Sequence, residues 1–487
     1  MSENPNLVPI IRELPADLDT PVSVYLKLAG DGPSFLLESV TGGEQIARYS
    51  FIGVNPRRAY VLQNASTEQG RSGRFTTHHL ASQQPPDEED ATDDPLAFLR
   101  RQMADIRVAD VEGLPRFAGG LVGYFGYEMM RYFEPSTGLG AHEQLPDAIL
   151  LQADTLVAFD HAYGRLLLIA NAYDGDEADA IARLDKMEAK LQQPLPLCKQ
   201  KSGQGGDALV SNFTQDGYET AVSQAKEHIL AGDIFQLVLS QQFSRQTNAK
   251  PFDIYRSLRR LNPSPYMFFF DFDELGVGEP FHLLGASPEM HARFEDGIAA
   301  VRPIAGTRAR GKTAVEDTTL EADLLADPKE LAEHVMLIDL GRNDLGRVCD
   351  YGTVRVTEQM VVERYSHVMH IVSHVEGKLR AGLDAFDLLR GTFPAGTVSG
   401  APKIRAMQLI DAMEPSPRGP YAGAVGYISY DGSMDTCIAI RTLSMIGDTV
   451  TIQAGAGIVA DSDPASEFIE TTNKARAVAE AVRNAER

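Results

Sequence analysis

From Phe213 to the C-terminus, strand-like segments outnumber helical ones, and several follow one another directly. That order constrains the fold more than any other feature of the chain. A βαβ repeat alternates the two types, whereas consecutive strands point to antiparallel pairing. We read helices or strands over 215–231, 235–244, 251–261, 266–272, 282–286, 327–340, 366–376, 384–390, 403–413, 422–430, 435–444, 449–456 and 464–485. The expected class is α+β: a two-lobed sandwich of large antiparallel β-sheets with helices packed outside.

Upstream, 34–40 and 49–54 read as strands flanking a Gly-Gly turn. Residues 63–94 are polar, with Pro85-Pro86 and an acidic run, and read as a surface excursion. Residues 117–127 suggest strand with tight turns, 150–172 a hairpin of alternating apolar residues, and 173–193 an amphipathic helix. The stretch 193–207 is rich in Pro, Gly, Lys and Gln, so the main linker is expected there. The chain then divides into 14–172, a helix and linker over 173–212, and 213–487.

Net charge is 45 − 68 = −23. Phosphate-binding surfaces need clustered Lys and Arg, so nucleic acid is not an expected partner. An anionic substrate would need locally concentrated cations or a metal. Cys198, Cys349 and Cys437 form no CxxC pair, which fits a reducing compartment without a disulfide framework or zinc site. The first nineteen residues lack a signal peptide's basic and apolar regions, and no apolar run approaches the roughly 18 residues that span a bilayer. A cytoplasmic protein without membrane contact is expected.

Two helix starts match each other. Asp327-Pro328 offers an N-cap and a first-turn proline, and Glu330 and Glu333 follow on one face. Leu331, Val335 and Ile338 lie on another face, toward a core. Asp463-Pro464 repeats the cap, with Glu467 and Glu470 three apart and Lys474 four further on. Two ExxE pairs facing across a cleft would repel unless a cation joined them, and magnesium favours such oxygen ligands. A structural reading competes: Glu330 sits where a capping-box glutamate would, and Glu470–Lys474 fits a surface pair.

Other candidates are ambiguous alone. Gly455-Ala456-Gly457 brings backbone N–H groups close to an anion, or simply ends a strand. Thr397 lies in a Gly-rich turn without a GK[ST] ending. His370 sits in an apolar segment where a satisfied core histidine is more common than a catalyst. Arg441 on an apolar strand needs an anion, whether ligand or structural partner. No GxSxG elbow and no amidotransferase cysteine context is present, so amide nitrogen must come from free ammonia or a partner.

Taken together, the motifs GDIFQ (232–236), NPSPYMF (262–268), SPE (287–289), RPIAGTR (302–308), EHVMLIDLGRNDL (333–345), FPAGTVSGAPK (393–403) and AGAGIV (454–459) resemble the chorismate-utilising enzymes, and within them the large subunits of anthranilate synthases. The resemblance runs from Leu14 to the C-terminus and is densest after Phe213. It implies an N-terminal feedback domain and a C-terminal catalytic domain. It further implies that Glu333 and Glu470 ligate Mg2+, with Glu330 and Glu467 helping directly or through water. Gly306, Thr307, Tyr421, Arg441, Gly455, Gly457 and Lys474 should bind chorismate. Thr397 and His370 should serve catalysis, His370 in removing the C2 proton. Glu330 is the candidate general acid, because crowded carboxyls hold protons.

Relatives that activate water carry a lysine where this chain has Gln236, and relatives that form a covalent adduct carry one where it has Ala305. Both departures imply direct addition of ammonia, giving anthranilate and pyruvate. A glutamine amidotransferase subunit is the implied partner. Glu38 and Ser39, together with Pro265, Tyr266 and Met267, resemble the family's tryptophan feedback site.

Overall fold

The computed structural model describes residues 5–39, 48–64, 73–82, 84–91, 94–196, 208–365 and 368–487. Two sheets of twelve strands each organise the chain. The first runs from Leu7–Pro15 at one edge, through Ser34–Glu38, Tyr266–Asp271 and Phe281–Ser287, to Thr449–Ile458 and Gln236–Gln246. The second runs from Ile304–Ala309, through Met290–Glu295, Met434–Ile438 and Ala424–Ser429, to Gly73–His78 and Asp87–Ala91. All named strand pairs are antiparallel, which bears out the expected α+β class.

Strands from before residue 173 and after residue 212 interleave in both sheets. Glu38 pairs with Met267 in the first, and Phe125 with Ala424 in the second. The two segments therefore share one inter-sheet core, where Phe35, Phe117, Phe268, Phe270 and Tyr427 pack together. Helices cover the outer faces. Pro21–Leu28, Glu177–Leu191, Pro251–Leu261 and Pro464–Ala485 pack on the first sheet, and Pro95–Ala104, Pro328–Gly346 and Ala385–Thr392 on the second. Glu177–Leu191 lies within the expected 173–193 helix and buries Ala180, Leu184, Met187 and Leu191, a single stripe at helical spacing.

The structure departs from the sequence reading in several places. The polar stretch 63–94 contains the strands Gly73–His78 and Asp87–Ala91 at a sheet edge. They pair through ions, Arg74 meeting both Glu88 and Asp90, so a solvated edge needs few apolar residues. The segment 150–172 holds parts of three strands: Ala148–Ala153 belongs to the second sheet, and only Thr155–Asp160 and Arg165–Tyr173 form the hairpin. The segment 435–444 is likewise two strands, Met434–Ile438 in the second sheet and Thr442–Ile446 in the first. Arg441 stands at that break with φ 53°. Helix Ala314–Ala326 and strands Met290–Glu295, Ile298–Val301, Ile304–Ala309 and Arg355–Arg364 had no counterpart in the reading. Residues 197–207 of the expected linker lie outside the described residues. Among the described residues, no helix is long and apolar enough to cross a membrane.

Candidate active site

The two capped helices face one cleft of about 600 Å3. Asp327 caps Pro328–Gly346, accepting from the amides of Lys329 at 3.0 Å and Glu330 at 3.4 Å. Glu330 does not close a capping box. Its Oε1 accepts instead from Arg308 Nη1 at 3.1 Å. The helix buries His334, Leu337, Ile338, Gly341 and Leu345, while Val335, expected inside, is 45% exposed. Asp463 caps Pro464–Ala485 through the Ser466 amide at 2.9 Å.

Glu330, Glu333, Glu467 and Glu470 all line the cleft. Burial, then the charges of Glu330 and Glu470, pushes Glu333 above the usual carboxyl range. Burial pushes Glu467 the same way, with Glu470 adding to it. Glu470 pairs with Lys474 at 2.7 Å, and Lys474 Nζ also donates to the Gly455 carbonyl at 2.9 Å. Among the described residues, no three His, Cys, Asp or Glu side chains are already gathered around a metal position. The donors are nonetheless hard oxygens whose mutual repulsion a divalent cation would relieve, so the set fits magnesium in chemistry.

The opposite wall carries the remaining candidates. His370 lies in the strand Val368–Lys378, and its Nδ1 is 3.0 Å from both the Gly306 carbonyl and Thr307 Oγ1. A carbonyl only accepts, so Nδ1 carries the proton and Nε2 keeps its lone pair. Burial lowers the His370 pKa, which favours that neutral form. Gly306 has φ 70°, and a Cβ there would lie 3.2 Å from Glu330 Oε2. Gly455 and Gly457 sit inside the strand Thr449–Ile458 rather than at its end. A Cβ at Gly455 would stand 2.8 Å from the Tyr421 hydroxyl, and one at Gly457 would stand 2.5 Å from Gln236 Nε2. The two glycines thus let Tyr421 and Gln236 lie flat against the cleft wall.

Arg441 reaches into the cleft from the break between sheets. It is largely buried, and no carboxylate among the described residues forms an ion pair with it. Burial lowers its pKa, outweighing the opposite pull of Tyr421 and Glu470.

Two contributors were missed by sequence reasoning. Glu289 lines the cleft beside Thr397, is 7% exposed, and has its pKa pushed up to about 8 by burial. Its signal was a carboxylate between two apolar strands, quoted only as part of a motif. Arg418, fully buried, donates to the Val398 carbonyl at 2.8 Å and the Val238 carbonyl at 2.7 Å while pairing with Glu414 at 2.6 Å. It ties the Thr397 turn to the strand Gln236–Gln246.

Glu38, Ser39, Pro265, Tyr266 and Met267 meet in a second cavity, with Arg116, Arg293 and Asp435. Arg259 grips Glu38 through two nitrogens, each at 2.9 Å. Tyr266 donates to Asp435 at 3.0 Å and Arg293 to the same carboxylate at 2.9 Å. The Ser39 hydroxyl is buried without a partner.

The chorismate binding enzyme family profile matches residues 34–480. Anthranilate synthase component 1 of Pseudomonas putida is 48% identical over 99% of this chain and 96% of its own length. The crystal structure of anthranilate synthase component I from Streptococcus pneumoniae superposes with a TM-score of 0.77 at 35% identity, covering 96% of this chain and 98% of that one. The menaquinone-specific isochorismate synthase of Escherichia coli shares the fold, with a TM-score of 0.69 at 23% identity, covering 99% of this chain and 96% of that one. The chain therefore belongs to the chorismate binding enzymes and, within them, to the anthranilate synthase component 1 family.

Proposed function

We propose that this protein converts chorismate and ammonia to anthranilate and pyruvate in tryptophan biosynthesis, with magnesium as cofactor. Full-length identity to anthranilate synthase component 1 proteins supports the reaction. The observation that carries the mechanism is the single cleft that gathers four glutamates and Arg441, which no described carboxylate meets in ion-pair range, with Glu289 beside Thr397.

Glu333 and Glu470 would hold magnesium, assisted by Glu330 and Glu467. When bound, the metal would anchor the ring carboxylate and draw electron density from the ring. Arg441 and Lys474, with Tyr421 and the amides near Gly455 and Gly457, bind and orient the substrate's anionic groups. Gln236 and Ala305 line the cleft without offering an amine nucleophile, which leaves ammonia to attack C2. The departing C4 hydroxyl needs a proton. Glu330 is committed to Arg308, whereas Glu289 still holds a proton near neutral pH. We assign the acid to Glu289, positioned beside Thr397. His370 Nε2, bare because Nδ1–H faces the Gly306 carbonyl, takes the C2 proton as pyruvate leaves.

Glutamine would supply nitrogen only through a partner amidotransferase. Tryptophan would occupy the second cavity, its carboxylate toward Arg116 and Arg293 and its ammonium toward Glu38 and Ser39. The test is anthranilate fluorescence from chorismate plus ammonium salt. Expected results are loss of product on chelation, recovery with magnesium, and no product from glutamine with this chain alone. Product that forms without ammonia, or persists after chelation, would overturn the reading.

A further inference from the structure

Behind the Thr397 turn lies a smaller chamber of about 40 Å3, its lining mixed polar and apolar. Glu289 and Thr397 form the wall it shares with the cleft, and Asp344 lies deeper. His291 and Thr392 also line it, but they satisfy each other, Nε2 lying 3.3 Å from the Thr392 hydroxyl. The His291 Nδ1 lies 3.0 Å from the Thr436 hydroxyl.

On the chamber wall the buried Asp344 Oδ1 has no hydrogen-bond partner among the described residues, and the Thr397 hydroxyl has only the neighbouring Glu289 carboxyl. Asp344 is 5% exposed, and only its Oδ2 is met, by Lys403 Nζ at 2.9 Å. A bare carboxylate oxygen at that depth is strongly unfavourable, and native interiors answer such atoms with water. A water needs about 10–15 Å3 of probe-occupied space and two or more polar partners, and the chamber offers both.

Proton traffic supplies the reason. Attack forms the C2–N bond and breaks the C4–O bond, and the Glu289 proton leaves with the hydroxyl as water. The new C2 ammonium gives one proton to solvent, so the step is neutral overall, but Glu289 itself must be recharged. Substrate closes its cleft side. Its other side is the chamber, whose lining includes Arg302, a side chain 16% exposed and paired with the more exposed Glu363 at 2.5 Å. We infer that the chamber holds ordered water that bridges Thr397 and Asp344 and returns a proton from solvent to Glu289 between turnovers. This rests on Glu289 being the general acid.

Filling the chamber tests it. Val301 and Gly341 line the chamber and stay clear of the cleft. Val301→Ile adds a methylene, and Gly341→Ala places a Cβ 2.9 Å from Val301 Cγ2. With ammonia and chorismate, each should lower kcat about tenfold with chorismate KM unchanged, and should raise the solvent deuterium isotope effect on kcat. A packing defect alone would not move the isotope effect. Val301→Ala, which keeps the space open, should retain the wild-type isotope effect, and it carries the comparison if Gly341→Ala fails to fold. A high-resolution crystal structure should show water bonded to Asp344 Oδ1 and to the Thr397 hydroxyl. A dry chamber, or filled variants with wild-type kcat and isotope effect, would overturn the relay. Glu289→Gln separates the two ideas. If it keeps wild-type kcat, the acid assignment falls. If it loses kcat while Val301→Ile does not, only the relay falls.

Discussion

Glu289→Gln is the most direct probe of the catalytic assignment. The swap keeps side-chain volume and leaves the Glu289 amide and carbonyl on Ser287 and Ile438, so the fold should hold. Its chemistry changes completely, because an amide cannot give up a proton to a leaving hydroxyl. Removing a positioned general acid lowers kcat by about 10²–10⁴. The wild type makes a second, sharper statement. With a pKa of about 8, Glu289 is about nine-tenths protonated at pH 7 and about one-tenth at pH 9. The acid form is the active one, so kcat should fall about tenfold as pH rises from 7 to 9. The assay follows anthranilate fluorescence at saturating chorismate and magnesium, with free ammonia held constant at each pH. Glu289→Gln should be slow at every pH and should lack the alkaline limb. A variant within about threefold of wild type, or one that keeps the limb, would refute the argument, because another group would then supply the proton.

Replacing Ser39 with Phe should fill the second cavity, leave activity in place and abolish inhibition by tryptophan; a full inhibition curve in the variant would reject that cavity as the feedback site. Lys403→Met should strand Asp344 without the ammonium that meets it at 2.9 Å, a loss of about 3–5 kcal/mol readable by urea unfolding. Adding Asp344→Leu should recover much of that loss, since removing both charges also removes the stranded one.

The sequence declared most clearly what is decided locally. Asp327-Pro328 and Asp463-Pro464 marked both helix starts because capping involves only the next three residues. Consecutive strands announced antiparallel sheets. Tertiary decisions stayed hidden. Nothing local shows that 435–444 changes sheets at Arg441, since apolar residues lie on both sides of the break. Val335 matched a buried stripe by spacing, yet the helix turns His334 and Leu337 inward instead. At the site, the ExxE pairs were undecidable alone, and motif resemblance was needed to favour magnesium. Glu289 was unreadable for a plainer reason: its raised pKa is made by burial, which no single position in a sequence reports.

Arg441 is the side chain on which the proposed anion binding by this strongly acidic chain most depends. A largely buried guanidinium that no described carboxylate meets in ion-pair range, with Glu470 acting on it only at a distance, destabilises the empty protein, and an apolar residue of similar length would relieve that penalty. Arg441→Met keeps the residue type non-glycine at φ 53°, so backbone strain is common to both and cancels. The variant should therefore be more stable than wild type without ligand, by about 1–2 kcal/mol. Its chorismate KM should rise about 100-fold, the equivalent of losing one buried charge-assisted contact of about 3 kcal/mol. The order of stabilities should then invert when chorismate and magnesium are added, because ligand stabilises the folded state only as far as it binds. Thermal unfolding of both proteins, with and without ligand, reads all four values. If Arg441→Met is the less stable protein when empty, the arginine serves the fold rather than the substrate, and the anion-binding role assigned to it here is wrong.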